Sequence, residues 1–361
     1  MIIEKNSFDS CLKLTQLDFY PYELIPKGNM GSHCPSAGGR RGALLRVSFD
    51  DGMTGYSDCF PWPELGDLPV ETQLRDMKSG RLSELTFQSL QFARLDAQAR
   101  KEGKSLFEGA KFPESHYLVT DLNLLNERML EEISNQGFTK LKLKLGSRPQ
   151  IEAHTLKSFS QQLKNLSLSL RLDFNSSLSF SQMEEFLGLL GPALDHVHSI
   201  EDPIVYDPHH WRMLQDNWGV RLAIDRLSNG PYNFLNDTQK LSVPKPFSWL
   251  EKGSFSILVI KPAISDWREL AQLAKGLEVS VSVTSYLDHP VGQLFSAWVA
   301  SQLRLDEGIR FDTCGLLSHL AYEPTPFSKM LKSEKGVLEV PHTGSGVGFD
   351  SLLSALQWRR V

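Results

Sequence analysis

After Phe112-Pro113 the chain falls into short apolar runs separated by stretches whose apolar residues recur at helical spacing. The runs are Tyr117–Leu122, Thr139–Leu145, Leu166–Phe174, His196–Glu201, Arg221–Asp225, Ser256–Lys261, Val279–Thr284 and Ile309–Asp312. Eight strands alternating with helices predict parallel βα units closing as a barrel, with a doubly wound open sheet as the alternative α/β arrangement. Upstream the texture differs. Leu44–Phe49 and the segment before Gly31 have strand character, and Gly38-Gly39 and Phe60-Pro61-Trp62-Pro63 mark loops. Leu82, Leu85, Phe92, Leu95 and Ala99 repeat at helical spacing between Val70 and Lys101. This predicts an α+β domain over residues 1–110, a barrel over 111–320, and a final segment, 321–361, that returns to the first domain.

Composition narrows the class. The 361 residues carry 38 Lys+Arg against 43 Asp+Glu, a formal charge of −5 with no long single-sign block, which argues against nucleic acid as a partner. No apolar run is long enough to span a membrane, and Glu4, Lys5, Asp9 and Lys13 interrupt the start of the chain, so no secretory signal is expected. Cys11, Cys34, Cys59 and Cys314 lie far apart and read as reduced thiols of a cytoplasmic protein.

The strand ends carry the chemistry. In Lys140-Leu141-Lys142-Leu143-Lys144-Leu145-Gly146, a period of two puts the lysines on one face and the leucines on the other. A solvated sheet edge would explain an isolated pattern of this kind. Here the leucine face suits packing under outer helices, which would turn the lysines into a barrel, where they need partners. The next strand alternates likewise, with Arg171, Asp173 and Asn175 on one face. Asp173, Glu201 and Asp225 each close a predicted strand, 28 and 24 residues apart, so they would converge at the C-terminal face of a barrel. Any one of them alone would read as a helix cap. Three together repel unless a cation sits among them, and a hard ion such as Mg²⁺, or Mn²⁺, resolves that conflict. Lys261 ends a further apolar strand before Pro262, so Lys144 and Lys261 flank the acidic strands in order. A lysine confined near a dication and other cations is suited to work as a base. Thr284 and Ser285, at another strand end, offer hydroxyls to a carboxylate.

The order Lys-x-Lys-x-Gly, Asp-x-Asn, Glu-Asp-Pro, Ile-Asp and Ile-Lys-Pro-Ala resembles the enolase superfamily, in its muconate-lactonizing subgroup. Arg171–Asn175, the Ser282–Ser285 strand end with a loop at Gly292, and Gly55–Pro63 add to the likeness, which runs from about Gly42 to the end. The resemblance implies a (β/α)7β TIM-like barrel under an N-terminal α+β capping domain. It implies Mg²⁺-dependent dehydration, in menaquinone biosynthesis, of a small cyclohexadiene carboxylate bearing a succinyl chain and a hydroxyl. Lys144 would remove the α-proton and return it to the departing hydroxide. Lys261 would stay charged on the other face, and Asp173, Glu201 and Asp225 would hold the metal. Lys142 and Arg171 would orient carboxylates or sustain the pKa of the base lysine, with Asn175 in the substrate-binding set. Phe60 and Trp62 would be either lid residues over the substrate or packing between the domains. A racemase, dipeptide epimerase or cycloisomerase on the same scaffold needs the same two lysines, and a barrel that only binds its ligand would waste them.

The sequence also departs from that pattern. Arg226 follows Asp225 where relatives commonly carry Glu, and Lys261 comes 36 positions after Asp225, across a stretch with Pro231, Pro244 and Pro246, which reads as an insertion. Gly344–Gly348 lacks the Lys-Ser/Thr ending of a phosphate loop, and His196, His198, His209 and His210 read as packing or surface residues. A Schiff-base lysine would leave the three carboxylates unexplained. Oligomeric state is not encoded in these patterns.

Overall fold

The computed structural model describes residues 2–3, 12–28, 38–225, 247–341 and 344–361. The expectations concerning Cys11, Gly31, Cys34, Arg226, Pro231, Pro244 and Pro246 lie outside them. Four strands, β1 (Ile2–Ile3), β2 (Leu12–Leu24), β3 (Arg40–Phe49) and β4 (Thr54–Cys59), pair antiparallel in that order. Helices α1 (Val70–Lys78) and α2 (Glu84–Lys101) cover one face, packing Leu74, Met77, Leu90 and Ala93 with Leu45, Val47 and Phe49 of β3. Ser83 starts α2 by accepting from the Thr86 amide.

Seven parallel strands follow, each hydrogen-bonded to the next: β5 (Tyr117–Val119), β6 (Lys140–Lys144), β7 (Ser169–Asp173), β8 (Val197–Glu201), β9 (Leu222–Ile224), β10 (Ile257–Ile260) and β11 (Ser280–Val283). They are interleaved with α3 (Glu127–Asn135), α4 (Pro149–Ser158), α5 (Ser160–Asn165), α6 (Phe180–Leu190), α7 (Pro208–Trp218), α8 (Trp267–Leu277) and α9 (Pro290–Leu303). Leu141 and Leu143 of β6 and Leu170 and Leu172 of β7 are fully buried in the main core, each contributing about 1.5–3 kcal/mol. The alternate positions, Lys142 and Arg171, are buried in the barrel interior, whose β9–β10 side is filled by Ala223, Ile257 and Val259.

The expected eighth strand, Ile309–Asp312, forms no ladder. Closure begins inside that segment and runs on past it, through single parallel bridges from Phe311 to Val281, Cys314 to Ser115 and Gly315 to Thr284. The Thr313 amide donates to the Asp312 carboxylate at 2.7 Å, which withdraws it from a neighbouring strand. The barrel is therefore (β/α)7β in type, TIM-like, with an α+β cap. Gly292, expected in a loop, lies in the first turn of α9.

Cap and barrel meet along β2 and β4. Tyr22 donates to Asp58 at 2.6 Å, the His289 amide donates to the same carboxylate, and the Trp62 indole donates to the Tyr286 carbonyl at 2.9 Å. Residues 344–361 reach the cap as well: the Val347 amide donates to Asp96, and Arg359–Arg360 adds a short strand to β2. The amides of Ser345, Gly346, Val347 and Gly348 are thus committed to protein oxygens rather than open to a phosphate.

Candidate active site

The register of the parallel sheet aligns the strand ends. Lys144 stands opposite Asp173, and Asp173 opposite Glu201. Asp225, Lys261 and Thr284 are the residues immediately after β9, β10 and β11. Sharp left-handed turns end these strands, with φ of 104° at Gly146, 50° at Asn175 and 43° at Asp202. Two of the turns are pinned by carboxylates. Asp173 accepts from the Asn175 amide at 3.1 Å, and Glu152 accepts from the Gly146, Ser147 and Arg148 amides at the start of α4. The charged side chains gather where the strand ladder has just been broken.

Buried charges there are paired in sequence. Lys142 bridges Asp173 at 2.9 Å and Glu201 at 2.6 Å; Lys144 binds Asp173, and Lys261 binds Asp225. Arg171 donates to Glu201 at 2.8 Å and to Ser282 at 3.0 Å. Burial works against the Lys142 ammonium, but Asp173 and Glu201 outweigh it and hold its pKa above the ordinary lysine value. Burial likewise opposes the Glu201 carboxylate, yet Lys142 and Arg171 bring its pKa down to about 2. Asp202, which accepts from the Asp225 amide at 3.0 Å, is pushed well up by burial and then by Asp225 and Glu201.

A cavity of about 70 Å³ opens onto this cluster, lined by His116, Lys142, Lys144, Lys261, Thr284 and Ser285 among others. Lys144 also lines a second cavity of about 430 Å³ beside Asn123 and Arg148. The structure thus brings together Lys142, Lys144, Arg171, Asp173, Glu201, Asp225, Lys261, Thr284 and Ser285. Asn175 lies in the turn after β7. Phe60 and Trp62 are elsewhere, buried in the cap–barrel seam with Leu24, Tyr286 and Tyr322. His198 pairs with Arg221 and Asp312 at the opposite end of the barrel, and His209 and His210 are exposed on α7.

The donor set can be tested for its fit to a metal ion. Asp173, Glu201 and Asp225 are carboxylates on adjacent strand ends, and Asp225 Oδ1 is buried with no hydrogen-bond partner. Among the described residues no three ligand groups stand as close as they would around a bound ion; each carboxylate is instead paired with a lysine, Lys142 bridging Asp173 and Glu201 and Lys261 holding Asp225. An oxygen-only set with an orphaned carboxylate oxygen fits a hard divalent cation. Sequence reasoning missed His116 and the pinning role of Glu152; only the latter had a signal, an acidic residue in the first turn of a helix.

Comparison with known proteins agrees with this architecture. Residues 17–99 match the family model for the o-succinylbenzoate synthase N-terminal domain, and residues 125–352 match the enolase C-terminal domain-like family. An o-succinylbenzoate synthase of Bdellovibrio bacteriovorus is 33% identical over 352 residues, covering 96% of this chain and 99% of that protein. Two solved structures share the fold at low identity. A muconate lactonizing enzyme from Pseudomonas fluorescens has a TM-score of 0.74 at 14% identity, covering 97% of this chain and all of that one. A dipeptide epimerase from Cytophaga hutchinsonii, solved with Mg and a dipeptide, has 0.70 at 16%, with 97% and 100% covered. With cap and barrel both matched over nearly the whole length, the chain belongs to the o-succinylbenzoate synthase family, a hydro-lyase branch of the enolase superfamily.

Proposed function

We propose that the family's dehydration, of 2-succinyl-6-hydroxy-2,4-cyclohexadiene-1-carboxylate to 2-succinylbenzoate, is carried out here by Lys144 and Lys261 acting from opposite sides of the ring. The observation that carries this reading is their placement. Lys144 ends β6 and Lys261 directly follows β10, on either side of β7, β8 and β9 with their carboxylates, and both line the same cavity.

Lys144, as a free amine, takes the proton from the ring carbon that bears the carboxylate. The ammonium so formed returns that proton to the hydroxyl leaving from the neighbouring carbon on the same face. One C–H and one C–O bond break, water departs, and the electron pair completes the aromatic ring. Lys261 keeps its charge on the other face and stabilises the enediolate electrostatically. Asp173, Glu201 and Asp225 would hold Mg²⁺ or Mn²⁺. When bound, such an ion supplies positive charge beside the substrate carboxylate, where negative charge builds as the proton leaves. Arg171 and Lys142 keep Glu201 oriented, while Thr284 and Ser285 face the end of the substrate remote from the ring carboxylate.

In this reading residues 1–110 cap a barrel spanning 111–320, with 321–361 returning to the cap, and the reaction belongs to menaquinone biosynthesis in the cytoplasm. The test is direct: purified protein with Mg²⁺ and the cyclohexadiene substrate should produce the absorbance of an aromatic ring. EDTA should stop the reaction and added Mg²⁺ or Mn²⁺ restore it. Full turnover in exhaustively chelated buffer would refute the metal assignment, and no aromatisation with Mg²⁺ would refute the reaction.

A further inference from the structure

Five of the buried polar atoms without a hydrogen-bond partner lie in or beside the active-site cavity. Asp225 Oδ1 and Arg171 Nη2 belong to the charged cluster. The other three, His116 Nδ1, Thr284 Oγ1 and Ser285 Oγ, belong to residues that line the cavity wall. Leaving such atoms unpaired is costly unless a ligand completes them, and three on one wall is a concentration that packing does not explain.

His116 is outside the lysine and carboxylate pattern. It immediately precedes β5, and its backbone amide donates to the Cys314 carbonyl at 2.9 Å, which seats it beside the segment that closes the barrel. That segment lies between β5 and β11, on the wall across from β7, β8 and β9. The imidazole and Thr284 both stand beside Gly315. A Cβ on Gly315 would lie 3.1 Å from His116 Cε1, 3.2 Å from its Nε2 and 3.0 Å from Thr284 Cγ2. Glycine at 315 therefore leaves the Cε1–Nε2 edge of the ring uncrowded, in a residue that lines the cavity. Burial, and then Lys142 and Arg171, hold the His116 pKa well below the ordinary value. The ring is thus neutral, with one N–H to donate and one lone pair to accept.

We propose that His116 is a substrate-binding residue: together with Thr284 and Ser285 it takes the carboxylate at the far end of the succinyl chain, and Gly315 keeps that contact open. This rests on the dehydratase reading above. The two carboxylates of the substrate then divide between the two walls. The ring carboxylate faces Asp173, Glu201 and Asp225 with their cation, and the distal one meets neutral donors, so only a dicarboxylate satisfies both ends.

Calorimetric titration of the Mg²⁺-loaded protein with 2-succinylbenzoate and with 2-butanoylbenzoate, which carries a methyl group in place of the distal carboxylate, tests this. His116→Phe should weaken 2-succinylbenzoate about tenfold to a hundredfold, the effect of losing a hydrogen bond to a charged group, and leave 2-butanoylbenzoate within about twofold. His116→Gln, which retains an N–H donor, should recover part of the loss. If His116→Phe does not fold, Gly315→Ala, which crowds the ring without removing it, must show the same selective loss. Unchanged affinity, or equal weakening of both ligands, would overturn the assignment. Failure of the unsubstituted protein to bind 2-succinylbenzoate would instead count against the dehydratase reading.

Discussion

The Nε of Arg171 donates to Oε2 of Glu201 at 2.8 Å, while the other oxygen of that carboxylate is taken by Lys142. Both partners are almost completely buried, and Arg171 also reaches Ser282 on β11. A charge so deep in the barrel is tolerable because Glu201 and Ser282 answer it, although its second terminal nitrogen, Nη2, is buried without a partner. Arg171→Met should accordingly lower unfolding free energy by about 3–5 kcal/mol, the usual consequence of removing one partner from a buried ion pair, here leaving Oε2 of Glu201 unanswered while Lys142 still holds Oε1. Arg171→Lys should recover only part, since an ammonium cannot span the same partners. Urea denaturation measures both; a loss below about 1 kcal/mol in Arg171→Met would show that the ion pair contributes little net stability.

Separate roles for the two lysines predict separate kinetic defects. Lys144→Ala should lower kcat by about 10²–10⁴-fold, the range for loss of a general base, and should abolish exchange of the substrate α-proton with deuterated solvent. Lys144→Arg should not restore either, because a guanidinium stays protonated. Lys261→Ala should lose turnover through weaker stabilisation of the intermediate. Substrate recovered from Lys144→Ala with deuterium at the α-carbon would mean that the assignments are reversed or shared.

Much of this site is legible in the amino-acid sequence, and the reason is geometric. A strand of period two fixes which side chains share a face, so alternation alone places Lys142, Lys144, Arg171 and Asp173, and parallel strands carry their ends to one rim. His116 has no such signal. Its strand bears no charged partner, and its position depends on a closing segment that makes only isolated bridges, a long-range feature with no local pattern. Phe60 and Trp62 show the converse. An aromatic Pro-rich loop is equally compatible with a lid and with a seam, and the choice depends on where Tyr286 lies across the interface. Gly292 departs from the expected loop because Pro290 marks the first turn of α9 rather than a break.

Two carboxyl groups at the seam give a pH dependence. Asp58 and Asp288 converge above Gly292, where a Cβ would stand 2.7 Å from one and 2.6 Å from the other. Tyr22 and the His289 amide donate to Asp58, Cys59 adjoins it, and the His289 imidazole is held neutral by burial, with a pKa lowered to about 3. Burial raises the Asp288 pKa to about 7, and burial together with Asp288 raises Asp58. The folded protein therefore keeps a proton that the unfolded chain releases near pH 3.9, so this contribution to stability is full below that pH and disappears as pH rises to about 7. Asp288→Asn should become progressively more stable than the parent across this window and hold a constant advantage above it. Denaturant midpoints at pH 4.5 and pH 8 test the sign; an identical difference at both would remove Asp288 as the titrating group.

Trp62 sits at the same seam, and its environment decides what its removal should do. It is buried, donates to the Tyr286 carbonyl, lies edge-on to Phe60 with ring centroids 6.1 Å apart, and has the Arg40 guanidinium 3.5 Å above its ring. It does not line the active-site cavity; Tyr286 intervenes, with Lys261 Nζ 6.0 Å from the centre of its ring. Trp62→Ala should cost about 3–5 kcal/mol, as for other large buried aromatics, and Trp62→Phe about 1 kcal/mol for the lost hydrogen bond. Because Trp62 acts on the site only through Tyr286, Trp62→Phe should leave KM within about twofold, with any loss falling on kcat through the setting of Lys261. Chemical denaturation and steady-state kinetics on the same preparation separate the two possibilities. Undiminished stability with a tenfold higher KM would identify Trp62 as a residue that touches the substrate.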